Sequence, residues 1–205
     1  MPRIRAASID EHKALTRSAL LDAAKTLIHD AGTVDLPLGE IALAAGVGRT
    51  TLYDYFTDRD DLIATLVEEE LPGVVGALIA AVPHRGDAPE RLAELAAKTV
   101  EFVIRDPVMG VILHRAVGRM GPEAEVRIRA AHANLADAMV GLYQAGVASG
   151  DFRSMPPDLA GRFIQDSIMS AARTVLSAAK PEDRIESVTM HLRLFLLGGL
   201  GVSRR

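Results

Sequence analysis

Apolar residues return every three or four positions along nearly the whole of this 205-residue chain, and Pro or Gly breaks the run at intervals of about one helix. That rhythm is the period of an α-helix; a half-buried strand would alternate with period two. No strand-like alternation persists. The chain therefore reads as all-α, with about nine helices punctuated at Gly32, Gly46, Pro72-Gly73, Pro83–Gly86, Asp106-Pro107, Gly121-Pro122, Gly150-Asp151, Pro156-Pro157 and Lys180-Pro181.

The clearest unit runs from Thr16 to Gly32. Leu20, Ala24, Leu27, Ile28 and Ala31 make one apolar face, with Thr16 placed as an N-cap and Gly32 as the residue past the C-cap. Ahead of it, residues 1–17 carry four basic and two acidic side chains, a short basic arm expected to be flexible over 1–15. Pro37 opens a second helix ending at Gly46, Arg49 to Phe56 forms a third, and Thr57-Asp58 opens a fourth with Asp58, Asp60 and Asp61 at its positive end. Pro72-Gly73 is expected to kink or end that helix. Later helices are expected at about 88–105, 106–119, 122–149, 157–178 and 182–200. These breaks suggest a unit over 16–57 and a larger helical one over 58–205.

Residues 38–57 read LGEIALAAGVGRTTLYDYFT, a helix, a tight turn and a helix. Ile41, Ala45, Val47 and Leu52 are apolar where two crossing helices pack, Ala42 is small where they cross, and Gly46 sits where the turn needs positive φ. Thr50, Thr51, Tyr53 and Asp54 remain polar on the outer face of the second helix, which has the shape to enter a DNA major groove. An ordinary αα-hairpin is the other reading of this pattern.

The stretches TRSALLDAAKTLIHDAG and IALAAGVGRTTLYDYFTDRDDLI, over about 16–63, resemble the N-terminal domain of TetR-family transcriptional regulators in order and spacing. The resemblance implies an N-terminal three-helix helix-turn-helix DNA-binding domain joined to a larger helical ligand-binding and dimerisation domain. It places Arg49 and Thr50 at base edges, and Thr51, Tyr53, Tyr55 and Arg59 at phosphates. Arg17, the last basic residue of the arm, joins these candidate contacts. The chemistry agrees: Arg49 can hold guanine O6 and N7 with both arms of its guanidinium, and hydroxyls suit phosphate oxygens. Tyr55 has core packing as its alternative role, and Arg59 an ion pair with a nearby Asp. Gly39 lacks a side chain where relatives often have one, and Asp54 adds a negative charge to the presumed groove-facing helix. Residues 1–62 carry seven basic and ten acidic side chains, so affinity for non-specific DNA should be modest and salt-dependent.

Enzymatic motifs are sparse. There is no Cys, hence no thiolate zinc site, iron–sulfur cluster or Cys nucleophile. The six His show neither His-Glu-x-x-His nor Glu-x-x-His spacing, and there is no phosphate-cradling Gly loop or Gly-x-Ser-x-Gly. No catalytic residue, metal or cofactor is expected. No uncharged stretch reaches the ~18 residues of a membrane span, and no apolar signal core follows the N-terminal arginines, so a cytoplasmic protein without a membrane partner is expected.

The expected function is that of a DNA-binding regulator: a homodimeric repressor released from a palindromic operator by a small hydrophobic effector. A helical protein-binding adaptor is the alternative. Ile185, Val188, Leu192, Phe195 and Leu196 form one apolar stripe near the C-terminus, and Phe163, Ile164, Ile168, Ala172 and Val175 another. Both fit a four-helix dimer interface or the subunit's own core. The resemblance implies an effector cavity. Phe102, Met109, His114, Arg115, Met139, Tyr143, Phe163 and Met169 are the candidate wall, mostly apolar with a few polar groups.

Overall fold

The computed structural model describes residues 3–113 and 118–202, with the side chains of residues 3–8 and 107 set aside. Among these, nine α-helices and no strand are present: α1 (Arg3–Ala31), α2 (Leu38–Ala44), α3 (Arg49–Tyr53), α4 (Arg59–Ala80), α5 (Ala88–Arg105), α6 (Pro107–Val111), α7 (Pro122–Ala148), α8 (Pro157–Leu176) and α9 (Ile185–Leu200). The all-α reading holds.

The first helix is longer than its sequence cap suggested. No Gly or Pro interrupts residues 3–15, and Ala, Glu, Lys and Leu favour the helix there. The expected flexible arm is thus helical from Arg3 onward. Thr16 lies inside α1 and returns its hydroxyl to the His12 carbonyl at 2.9 Å instead of capping. Residues 9–15 are exposed, and burial begins at Thr16. The buried stripe is Leu20, Leu21, Ala23, Ala24 and Ile28; Ala31, at the helix end, stays exposed.

Pro72 does not end α4. Leu71 and Val75 are buried on either side of it, and Leu78 and Ile79 continue that face against the second unit's core. Burying Leu71 and Val75 fully and Leu78 and Ile79 in part outweighs the ~3 kcal/mol cost of an interior Pro. Gly198 and Gly199 likewise stay within α9, which stops at Gly201.

The chain forms two compact units, residues 1–69 with 107–128, and 70–106 with 129–205. The first unit thus takes in the start of α4 and a segment from the middle of the chain. The first unit packs α1 on α2, α2 on α3 and α1 on α6. Its core includes Leu20, Ile28, Ile41, Leu52, Phe56 and Leu62. The second unit packs α5 against α8 and α9. Asp87 caps α5 by accepting the Glu90 N–H at 2.8 Å. Tyr143 stacks on Phe152 and fixes the α7–α8 loop, its hydroxyl donating to the Arg153 carbonyl and accepting the Met155 N–H, both at 2.8 Å.

Candidate nucleic-acid interface

The turn between α2 and α3 is locked by its backbone. Gly46 takes φ of 71°, the left-handed region that favours glycine. The Gly46 N–H donates to Leu43 O at 3.1 Å and the Val47 N–H to Ala42 O at 2.9 Å, the paired bonds of a Schellman end. Ile41, Ala42 and Leu52 are buried between the two helices, while Ala45 and Val47 are half-buried. Ile41, Ala42 and Leu52 thus face inward while Leu43 stays exposed, and α3 is held by Leu52 from beneath.

That anchoring leaves the start and outer face of α3 open to solvent. Arg49, Thr50, Tyr53 and Asp54 are exposed, and Thr51 is half-buried. The Arg49 guanidinium lies 5.9 Å from the Tyr53 ring centroid and donates to its hydroxyl at 3.4 Å. The Tyr53 hydroxyl pushes the Arg49 pKa up from its ordinary value. A permanent cation is therefore presented on an aromatic plate, with hydroxyls beside it. This set can hydrogen-bond base edges and phosphate oxygens.

Of the other expected DNA contacts, Arg17 and Arg59 have partners within the protein. Tyr55 is half-buried. Arg59 donates to Asp35 at 2.9 Å and lies 3.5 Å from Asp60, which is the ion-pair alternative. Arg17 pairs with Glu69, and its guanidinium stands 6.0 Å from the centroid of Phe56. Gly39 has open space where a Cβ would stand.

Sequence reasoning missed a charged cluster behind this face. Arg127 of α7 donates to Asp61 at 2.6 Å, to Thr65 at 2.8 Å and to Glu68 at 2.9 and 2.6 Å. Hydrogen bonds from Arg127 hold the Glu68 carboxyl below its ordinary range. At Asp61 burial pushes upward, but the Thr57 N–H together with Arg127 outweighs it and the carboxyl is held low. The hydrogen bond to Glu68 raises Arg127 in turn. No motif signals this cluster, because its partners lie about sixty residues apart.

Comparison with known proteins decides what this arrangement belongs to. The model described as bacterial regulatory proteins, tetR family, matches residues 20–66, and that of the tetracyclin repressor-like C-terminal domain matches 85–173. The chain belongs to the TetR family. Its members are DNA-binding transcriptional regulators, and repressors stand among its relatives. A relative, the fatty acid metabolism regulator protein of Bacillus subtilis, is 22% identical over 134 residues, 65% of this chain and 69% of its own. The transcriptional repressor LfrR of Mycolicibacterium smegmatis is 49% identical over 51 residues, 25% of this chain and 26% of its own. Among solved structures, the regulator FadR from Bacillus subtilis in complex with stearoyl-CoA shares the TetR fold with a TM-score of 0.73 at 20% identity, covering 89% of this chain and 98% of its own.

The described residues of the expected effector wall are divided between the two units. Phe102, Met139 and Tyr143 belong to the second unit's core, Met169 is half-buried in α8, and Met109 is buried in the first unit. Tyr143 is committed to the α7–α8 loop, so its hydroxyl is a structural pin. Phe163 is 52% exposed and turns away from the interior, because Ile164 and Ile168 take the buried face of α8. His114 and Arg115 lie outside the described residues. No helix among the described residues is long and apolar enough to cross a membrane.

Of the two C-terminal stripes, Ile164, Ile168, Ala172, Val175, Leu192 and Leu196 are buried in the subunit's own core. Phe163 and Phe195, 52% and 65% exposed, face outward with Leu194 and Met190. A groove of about 920 Å³ runs between α8 and α9, with Phe163, Ser170, Thr174, Val188 and Phe195 along it.

Proposed function

We propose that the protein is a homodimeric repressor that binds a palindromic operator in the cytoplasm and is released by a small, largely hydrophobic effector. The observation that carries the DNA half is the open face of α3. Arg49 is exposed and lies over the Tyr53 ring, and the helix that bears them is anchored by the glycine turn and the buried Leu52. Arg49 and Thr50 read base edges; Thr51 and Tyr53 take phosphates. Arg17, Tyr55 and Arg59 contribute mainly by supporting the unit, since each is engaged or half-buried.

A five-residue reading helix covers too few base pairs for high specificity, so two half-sites are needed. The exposed Phe163 and Phe195 beside the α8–α9 groove support a second copy seated there in a four-helix interface. The effector acts in the second unit, where Phe102 and Met139 are the remaining interior candidates. The stearoyl-CoA of the Bacillus subtilis structure makes fatty acyl thioesters the first ligands to try. Effector and operator must weaken each other by the same factor.

The test is selection of bound sequences from random duplex DNA by the full-length protein. The account expects a two-fold symmetric consensus. Retention without any consensus would favour the adaptor reading instead.

A further inference from the structure

Arg127 lies within the sequence matched by the C-terminal family model, yet it folds with the DNA-binding unit, which includes residues 107–128. Its three nitrogens make four hydrogen bonds to α4, and the acceptors Asp61, Thr65 and Glu68 stand one above another along a single face of that helix. One guanidinium fork thereby spans two helical turns.

The cluster does not end at α4. Arg127 takes Asp61 Oδ1, while Asp61 Oδ2 accepts the Thr57 N–H at 2.9 Å and the Thr57 hydroxyl at 3.1 Å. Thr57 follows Phe56, whose N–H closes onto Leu52 O at 3.0 Å and whose ring is buried. A continuous set of hydrogen bonds therefore leads from α7, through α4, to the loop that leaves the recognition helix. A second tie runs parallel: the Gly121 N–H donates to Asp60 at 2.8 Å.

We infer that Arg127 is a positioning residue for DNA recognition: by fixing Asp61 it fixes Thr57, and with it the angle at which α3 presents Arg49 and Tyr53. The inference rests on the DNA-binding reading above. Its physical basis is the cost of leaving the half-buried Asp61 carboxylate without its cation. Without Arg127, Asp61 and Glu68 lose their shared cation and turn toward water, and Asp61 can no longer hold Thr57 with a fixed geometry. A clamp that served stability alone would change the unfolding midpoint and leave the recognition helix unaltered.

The experiment compares the full-length wild type with Arg127→Gln, Arg127→Lys and Thr57→Val. Arg193→Gln is the control: it removes a similar Arg–carboxylate bond, that to Glu94 at 2.8 Å, in the other unit. Affinity is measured for the selected operator and for a scrambled duplex of equal length, well below each unfolding midpoint. Amide exchange at Thr57 is followed in parallel. Arg127→Gln should lower the operator-to-scramble ratio by about tenfold and speed exchange at Thr57, through coupling of the size usual between linked elements. Arg127→Lys should recover part of both. Thr57→Val, which keeps the N–H bond and loses the hydroxyl bond, should lower the ratio several-fold with helicity unchanged. Arg193→Gln should keep the wild-type ratio. Wild-type ratios in Arg127→Gln and Thr57→Val would overturn the inference; if Arg127→Gln does not fold, Thr57→Val and Arg127→Lys decide it. Failure of the wild type itself to discriminate any duplex would overturn the DNA-binding reading, and the inference with it.

Discussion

Arg59 donates a hydrogen bond to Asp35 at 2.9 Å, joining the first residue of α4 to the loop that precedes α2. Arg119 approaches the same carboxylate at 3.6 Å. Asp35 thus gathers two cations on the unit's own surface. The Arg59 side chain is 36% exposed and that of Asp35 50%, so the bond's contribution to stability is small, of order 0.5 kcal/mol. Arg59→Ala should lower the unfolding free energy by about that amount and leave the slope of log K against log salt unchanged. A lost phosphate contact would instead flatten the slope by about 0.9. Operator titrations at several salt concentrations distinguish the two.

Gly46 is the second test. Its φ of 71° strains any other residue, while a Cβ there would meet no atom within 4 Å. The cost of Gly46→Ala is therefore backbone strain alone, about 1 kcal/mol. Urea unfolding should show that loss. An unchanged midpoint would mean the turn is not left-handed.

The helix-turn-helix was legible because its determinants are local. A left-handed glycine, a Pro ahead of α2 and apolar residues at crossing positions lie within twenty residues and act on one another directly. Thr16 misled because a capping residue also tolerates a helix interior when its hydroxyl can bond back to the preceding turn. Pro72 misled because burial of Leu71 and Val75 overrides one lost backbone bond. Phe163 and Ile164 are adjacent apolar residues, and only the packing of α8 decides which faces the core. Arg127 left no trace at all, since ion pairs between distant segments have no sequence period.

Acid should loosen the DNA-binding unit. Asp61 is held below its ordinary 3.8 and Glu68 below its ordinary 4.5 in the folded chain. Groups with depressed folded values stabilise fully above their unfolded values and lose that contribution as pH falls through the folded ones. Stability should thus hold down to about pH 5 and decline steadily below about pH 4.5. Arg127→Gln should be less stable than wild type at pH 7 and should approach it as pH falls through the lowered folded values, because the protonated carboxyls no longer need the cation. Parallel curves for the two proteins in chemical denaturation would contradict this.

Phe195→Glu tests the dimer. The side chain is 65% exposed on the isolated subunit, so a carboxylate there is tolerated by the monomer. In a four-helix interface it would meet its own copy or an apolar wall, at a cost of several kcal/mol. Sedimentation should show a dimer for wild type and a monomer for the variant at micromolar concentration, with operator affinity lost and helicity retained. A variant that remains dimeric places the interface elsewhere.

The most direct test sets Arg49 against a single base. Wild type and Arg49→Ala are titrated with the selected operator, and with the same duplex after each consensus guanine facing α3 is replaced in both half-sites. Wild type should prefer the original by about tenfold or more, as a bidentate Arg–guanine contact provides, and Arg49→Ala should bind both duplexes alike. If Arg49→Ala discriminates between them as well as wild type does, α3 does not read the operator through Arg49, and the account of this interface is wrong.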